Sequence, residues 1–225
     1  MATNKNESKK IKVLIVDDHP IVRDGLAYIF GKESDMEICG YVEDADAAVA
    51  AIEKLSPDIA IVDISLKGNK SGLELTRLLH TSHPKLYVLI LSMHDEALYA
   101  QRVIRSGARG YVTKHEMSST IVAAVRKVLS GKIYLSDTQT SRFIDDLVVN
   151  QNKIVTTTVE KLTNKELDVF RLIGQGKKNS EIADALNVSI KTIDTHRLRI
   201  KNKLGMKSGA ELIKYAVEWF MHQSE

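Results

Sequence analysis

The sequence predicts a doubly wound α/β domain built on a five-stranded parallel sheet, followed by a small all-α domain of four helices. Five short apolar runs rich in β-branched residues occupy residues 11–16, 38–42, 59–62, 86–91 and 110–112. They alternate with five segments of helical apolar spacing, and strands that alternate with helices form a parallel sheet covered on both faces. After residue 160 every apolar repeat has helical spacing, which predicts the second domain.

Local signals support the helix boundaries of the first domain. Pro20 suits the first position of a helix, and Ser71 with Glu74 has the spacing of a capping box. Three glycines stand where predicted helices should end: Gly31, Gly107 and Gly131. The strands and helices therefore have defined ends in the sequence itself.

The second domain begins with another capping-box pattern, Thr163 to Glu166. We expect a second helix at 181–186, a tight turn at 187–189 and a longer third helix at 190–204 capped by Ser189. A fourth helix follows Ser208. Two helices joined by a three-residue turn, the second of them basic, form the helix-turn-helix pattern.

A polar segment separates the two patterns. We assign 9–131 to the first domain, 132–159 to a linker and 160–225 to the helical domain. Within the linker, four apolar residues have the spacing of one short amphipathic helix: Phe143, Ile144, Leu147 and Val148.

The charge distribution indicates a polyanionic partner. The net charge is only +3, but residues 1–157 hold 20 basic and 20 acidic side chains, whereas 158–225 hold 12 and 9. The single Cys39 excludes an internal disulfide and a zinc site built from several cysteines. No apolar run approaches the roughly 18 residues of a membrane span, and the polar start lacks a signal-peptide core, so we expect a cytoplasmic protein without a membrane partner.

Polar side chains stand at the ends of four predicted strands. Asp17 and Asp18 follow the first strand, Asp63 closes the third, Ser92 follows the fourth and Lys114 the fifth. Because parallel strands end at one edge of the sheet, these side chains should converge. Carboxylates at this density suit Mg²⁺, and lysine and serine can bind phosphate oxygens. The chemistry that this predicts is phosphoryl transfer onto a carboxylate.

Residues 11–131 resemble a receiver domain of a two-component response regulator, which has a flavodoxin-like fold. Four motifs carry the resemblance: Val16-Asp17-Asp18-His19-Pro20, Ile61-Val62-Asp63, Leu91-Ser92-Met93-His94-Asp95 and Gly107-Ala108-Arg109-Gly110-Tyr111-Val112-Thr113-Lys114. The resemblance implies that Asp63 accepts the phosphoryl group from a cognate histidine kinase or a small phosphodonor.

The same resemblance assigns roles around Asp63. Asp17, Asp18, Asp63 and the carbonyl of Ser65 would bind Mg²⁺. Ser92 and Lys114 would bind the phosphoryl group. Tyr111 would be an aromatic switch that turns into space vacated by Ser92; the alternative is a half-buried strand residue without a signalling role.

The third helix of the second domain has a basic face. Ile193, His196, Ile200 and Leu204 form its predicted buried stripe. The opposite face carries Lys191, Thr195, Leu198 and Asn202, flanked by Asp194, Arg199 and Lys201. Such a face can enter the major groove of DNA, where its early residues read bases and its cations neutralise phosphates.

This domain resembles the LuxR-type helix-turn-helix through Leu162-Thr163-Asn-Lys-Glu166, Gly176-Lys-Lys-Asn179-Ser-Glu181-Ile182-Ala183, Val188-Ser189-Ile-Lys191-Thr192-Ile193-Asp-Thr-His196 and Lys203-Leu204-Gly205. With the receiver, the chain resembles the NarL/FixJ class of response regulator. The resemblance implies base reading by Asp194, Thr195 and Leu198, and phosphate contacts by Lys191, Thr192, Arg199 and Lys201.

Two of these positions, and the final helix, each have two interpretations. Asp194 either accepts a hydrogen bond from a cytosine amino group or makes a contact within the protein. Leu198 either contacts a thymine methyl or is partly buried under a neighbouring helix. The final helix, with Tyr215 and Trp219, is the family's dimer contact by resemblance and core packing otherwise.

We therefore expect a transcription regulator that is phosphorylated on Asp63 with Mg²⁺ and binds DNA as a dimer through helix 190–204, and not an enzyme. Aspartyl-phosphate phosphatases are the first rival, but they carry a second acid two residues after the nucleophile, where this chain has Ser65. The second rival is an interaction protein whose helical domain binds protein instead of DNA.

Overall fold

A computed structural model describes residues 10–68, 70–94, 96–141 and 158–223. They form two compact units, one before and one after the gap at 142–157. The strands of the first unit are β1 Ile11–Val16, β2 Met36–Val42, β3 Ile59–Asp63, β4 Tyr87–Ser92 and β5 Gly110–Thr113. Its helices are α1 Pro20–Phe30, α2 Ala45–Leu55, α3 Gly72–Ser82, α4 Glu96–Arg105 and α5 Met117–Leu129.

The five strands form one parallel sheet in the order β2-β1-β3-β4-β5. This confirms the predicted doubly wound fold. The strand order reverses between β1 and β3, which is where such sheets place their functional crevice. Helices α1 and α5 pack together on one face, and α2 and α3 contact each other. Strand β3 and residues 13–16 of β1 are accordingly buried on both faces.

The predicted boundary signals form in the structure; several element ends shift by one residue and two element starts shift by two residues. The Ser71–Glu74 and Thr163–Glu166 capping boxes are both present, and Pro20 opens α1. Strand β2 begins at Met36, two residues before the prediction, because Met36 pairs with the first residue of β1. The second helix of the helical unit begins two residues early as well.

The first unit continues past α5. Tyr134 forms a parallel bridge with Gly110 of β5, and Leu135 is buried. Residues 137–141 are helical. The domain limits at 131, 132, 159 and 160 stay predictions, and the four apolar linker residues beginning at Phe143 lie outside the described residues.

The second unit is wholly helical. A short 3₁₀ helix, Thr158–Lys161, precedes α6 Asn164–Gly174, α7 Asn179–Ala185, α8 Ile190–Lys203 and α9 Gly209–Gln223. The ring of Phe170 on α6 lies 5.3 Å from Trp219 and 5.9 Å from Tyr215, so these two side chains of α9 take part in packing within the protomer. Across the described residues, no helix has the length and apolar character to cross a membrane.

Candidate functional site: an acidic sheet edge and a basic helix

Strands β1 and β3 bring three carboxylates together at the edge of the sheet. Asp17 and Asp63 are buried, each 2 % exposed, and Asp18 is half-buried. One ligand atom from each of Asp17, Asp18, His19 and Asp63 lies within 4.8 Å of the others. The sequence-based convergence of these carboxylates is therefore present in the structure.

Lys114 lies between two of these carboxylates. Its Nζ is 2.7 Å from Asp63 Oδ2 and 2.7 Å from Asp17 Oδ2. Burial raises the pKa of Asp63; Lys114 opposes this by favouring the charged form, and Asp17 adds to it by like-charge repulsion. The acidic cluster thus holds more negative charge than one ammonium neutralises.

The donor set fits Mg²⁺. Asp17 Oδ2 and Asp18 Oδ1 are buried without a directed hydrogen bond, although the ammonium of Lys114 is close to the first and His19 Nδ1 is 3.0 Å from the second. Mg²⁺ takes carboxylate oxygens and keeps several waters. The structure shows the Ser65 N–H donating to Asp63 Oδ1 at 3.2 Å; ligation by the Ser65 carbonyl stays a prediction.

His19 belongs to this site, a contact that the sequence analysis did not identify. Its backbone N–H donates to Asp17 Oδ1 at 2.8 Å, and its Nδ1 is 2.9 Å from the same oxygen. Its position directly after two aspartates was the available signal. His19 therefore orients the carboxylate of Asp17.

A chain of hydrogen bonds connects the acidic edge to β5 through His94. Ser92 is fully buried, and its Oγ accepts from the His94 N–H at 3.1 Å. The Tyr111 hydroxyl donates to the His94 carbonyl at 2.7 Å. The His94 ring stacks on Tyr99 of α4 at 4.7 Å and its Nε2 is 3.0 Å from Ser65 Oγ. Tyr111 is 1 % exposed, so its ring is buried in this structure, more deeply than a half-buried strand residue.

Residues 134–136, near the start of the predicted linker, lie beside β5 and α4. The Tyr111 N–H donates to the Tyr134 carbonyl at 2.9 Å, and the Tyr134 N–H donates to the Arg109 carbonyl at 2.9 Å. The Ser136 N–H donates to Glu96 Oε1 at the start of α4, at 3.0 Å. Residues 134–136 are therefore tied both to the strand of Tyr111 and to α4.

In the helical unit, α8 has the predicted two faces. Ile193 and Ile200 are fully buried, whereas His196 and Leu204 are half-buried. The cations and polar groups predicted to meet DNA lie on the other side, with Lys191, Asp194, Thr195 and Arg199 exposed and Thr192 and Lys201 half-buried. Leu198 is 55 % exposed. An apolar side chain is thus presented among polar ones.

The C-terminal end of α8 is fixed to α6 by an ion pair between a buried carboxylate and a partly exposed lysine. Lys203 Nζ is 2.6 Å from Oε2 of Glu166, which is only 3 % exposed. Burial works against ionisation of Glu166, but hydrogen bonds from Lys203 and from the Thr163 N–H outweigh it and lower its pKa. The capping-box residue of α6 therefore also anchors the basic helix.

Comparison with known proteins supports the family predicted for each of the two domains. Residues 13–126 match the family model of the response regulator receiver domain, and residues 160–216 match that of bacterial regulatory proteins of the luxR family. The oxygen regulatory protein NreC of Staphylococcus aureus is 35 % identical over 211 residues, covering 92 % of this chain and 97 % of NreC.

Solved structures show the same two-part organisation. RcsB from Salmonella enterica serovar Typhimurium, bound to promoter rprA with the phosphomimetic BeF3⁻, is 26 % identical and has a TM-score of 0.57, covering 93 % of this chain and 99 % of RcsB. A structure of two RcsB dimers on two parallel DNAs is 28 % identical with a TM-score of 0.56, covering 92 % and 98 %. The chain is a response regulator of the NarL/FixJ class, with a receiver domain and a LuxR-type DNA-binding domain.

Proposed function

We propose that this response regulator is phosphorylated on Asp63 in the presence of Mg²⁺ and then binds specific DNA sites as a dimer. The observation that carries the proposal is the convergence of Asp17, Asp18, Asp63 and Lys114 at the sheet edge where the strand order reverses. No single element of the first unit could bring these groups together; the fold does.

In the proposed reaction, an oxygen of the Asp63 carboxylate attacks the phosphorus of a phosphohistidine of a cognate kinase or of a small phosphodonor. The bond from phosphorus to the donor breaks, its electron pair leaves with the donor, and an aspartyl phosphate forms. Lys114 pairs with one phosphoryl oxygen and the Ser92 hydroxyl donates to another. Mg²⁺, held by Asp17, Asp18, Asp63 and the Ser65 carbonyl, would neutralise the charge at this site.

The hydrogen bonds of Ser92 supply a route for the signal. If Ser92 Oγ turns to the phosphoryl group, it gives up the His94 N–H, and His94 is also the acceptor of the Tyr111 hydroxyl. Tyr111 and α4 in turn hold residues 134–136. A change at Asp63 thereby reaches the start of the segment that leads to the DNA-binding domain.

At the DNA end, α8 enters the major groove. Lys191, Thr192, Arg199 and Lys201 contact phosphates, while Asp194, Thr195 and Leu198 face base edges. A dimer occupies two half-sites about one helical turn apart. The RcsB dimers on DNA and the RcsB–promoter complex with a phosphomimetic support this by analogy.

The switch need not be complete. Phosphorylation must favour the DNA-binding state by about 5.5 kcal/mol to move the equilibrium from 1:99 to 99:1. A smaller free energy would shift the population of that state only in part. We propose that the protein acts in the cytoplasm, where it would meet DNA. We also propose that it is a regulator and not an enzyme that turns over a free substrate. Ser65 stands where a phosphatase of the rival class would have its second acid.

Intact-protein mass measurement after incubation with acetyl phosphate tests the first step. We expect uptake of one phosphoryl group with Mg²⁺, much less without it, and none in Asp63→Asn. Uptake by Asp63→Asn equal to the unsubstituted protein, or no uptake by the unsubstituted protein, would contradict the proposal.

A further inference from the structure

Asn179 joins the two helices of the helix-turn-helix through a side-chain bridge. It lies at the start of α7, and its Nδ2 donates to Asp194 Oδ1 on α8 at 2.7 Å. Its Oδ1 accepts from Arg197 Nη1 at 3.1 Å. One amide thus contacts two side chains that are three residues apart on the basic helix.

The chemistry of the two partners fixes the orientation of the amide. A guanidinium has only donors and a carboxylate has only acceptors, so Oδ1 must face Arg197 and Nδ2 must face Asp194. Turning the amide over would bring donor against donor and acceptor against acceptor. Asn179 is half-buried, so its position is also restricted by packing.

The hydrogen bond from Asn179 leaves other acceptor sites on the Asp194 carboxylate available. Asn179 occupies one lone pair of Oδ1, and the exposed carboxylate retains acceptor sites for an amino group. The two interpretations of Asp194 from the sequence are therefore compatible: the residue makes a contact within the protein and still carries free acceptor oxygens. An anchored carboxylate also loses less side-chain entropy when it binds.

We propose that Asn179 is a specificity-determining positioning residue, which holds Asp194 so that α8 discriminates a base pair with an exposed amino group such as cytosine N4. The proposal rests on the proposed function, because it takes DNA binding by α8 as given. Asn179 itself need not touch DNA; it acts through Asp194.

The test is competition between duplexes that differ in one base pair, after bound sequences have been selected from random duplexes. The full chain is treated with acetyl phosphate and Mg²⁺ throughout. We expect Asp194→Ala to lower discrimination at one base pair about tenfold. Asn179→Ala should lower it at the same base pair, and the double variant should match Asp194→Ala alone. Ser180→Ala, at the exposed neighbour on α7, is the control and should keep full discrimination.

A second variant separates positioning from packing. Asn179→Asp keeps the side-chain volume but replaces the donor with a like charge facing Asp194, so it should lose at least as much discrimination as Asn179→Ala. Thermal unfolding monitored by circular dichroism verifies that each variant is folded.

Different results overturn different parts. Unchanged discrimination in Asn179→Ala and Asn179→Asp, or an equal loss of affinity for all duplexes, overturns the role of Asn179 while leaving DNA binding intact. Additive losses in the double variant overturn the link through Asp194. Absence of any duplex binding by the unsubstituted protein overturns the proposed function together with this inference.

Discussion

The acidic edge of the receiver domain and the basic face of α8 are built in opposite ways. The acidic edge collects residues from strands that are far apart in sequence, and its central carboxylates are 2 % exposed. The basic face comes from one helix, and most of its polar side chains are exposed. One site depends on tertiary packing and the other on helical periodicity.

This difference determines how each site should respond to change. At the acidic edge, buried backbone and charged side chains pack directly against one another. One substitution there should therefore have a large effect on stability or on Mg²⁺ binding. On the basic face, several cations share the same task, so one substitution should have a small and graded effect. Four variants test this contrast, from the largest expected effect to the smallest.

Gly72→Ala should cause the largest loss of stability. A Cβ at residue 72 would lie 1.9 Å from the carbonyl oxygen of Asp63, so either the start of α3 or the end of β3 must move. We expect a loss of about 3 kcal/mol or more in the free energy of unfolding of the receiver domain. Urea unfolding followed by circular dichroism measures it. Gly209→Ala is the control, since nothing lies within 4 Å of its Cβ position; equal behaviour of the two variants would refute the tight contact.

Asp17→Asn should weaken Mg²⁺ binding by about tenfold or more, because it removes a charged ligand from a site of three carboxylates. Isothermal titration calorimetry with MgCl₂ gives the affinity. The exposed Asp24 on α1 provides a matched control, and Asp24→Asn should bind as the unsubstituted protein does. If both variants bind equally well, the metal site is elsewhere.

Lys203→Met should destabilise the DNA-binding domain by about 1 to 2 kcal/mol at neutral pH, because Glu166 stays buried without its cation. The folded-state pKa of Glu166 is lowered, so its contribution is present above the ordinary value of 4.5 and is lost as the pH falls through the folded-state pKa. The free energy of unfolding is measured by urea unfolding followed by Trp219 fluorescence. The difference in this free energy between the unsubstituted protein and Lys203→Met should therefore shrink below pH 4.5. Lys207→Met, at an exposed position, is the control. A difference that grows in acid would contradict this account.

Lys191→Ala should have the smallest effect, a reduction of about 0.9 in the slope of log affinity against log salt, as expected for one lost phosphate contact. Fluorescence anisotropy with a labelled duplex at several salt concentrations measures the slope. Lys214→Ala on α9, whose side chain is 78 % exposed, should leave it unchanged. The proposed groove contact fails if the two variants have the same slope.

The sequence predicted the architecture well because the signals for it are local. Alternating apolar runs, capping boxes and Pro20 act over a few residues, and the strand ends then converge by the geometry of parallel sheets. The placement of Asp17, Asp63 and Lys114 followed from that geometry without knowledge of any contact.

Contacts between side chains of distant elements could not be predicted in the same way. Nothing in the pattern indicates that Asn179 reaches Asp194, since this depends on how α7 crosses α8. The contact of His94 with both Ser65 and Tyr99 depends on the conformations of two loops. The start of α7 also differs from the prediction. The Glu181 carboxylate accepts a hydrogen bond from the Lys178 N–H at 2.7 Å, so the helix begins at Asn179 and not at residue 181.

The most direct test of the central claim is the affinity for a selected duplex with and without acetyl phosphate and Mg²⁺, at one fixed salt concentration, for the unsubstituted protein and Asp63→Ala. We predict that the phosphodonor tightens binding by the unsubstituted protein and leaves Asp63→Ala at its untreated affinity. Equal affinity under all four conditions would contradict control by Asp63 and leave only constitutive DNA binding.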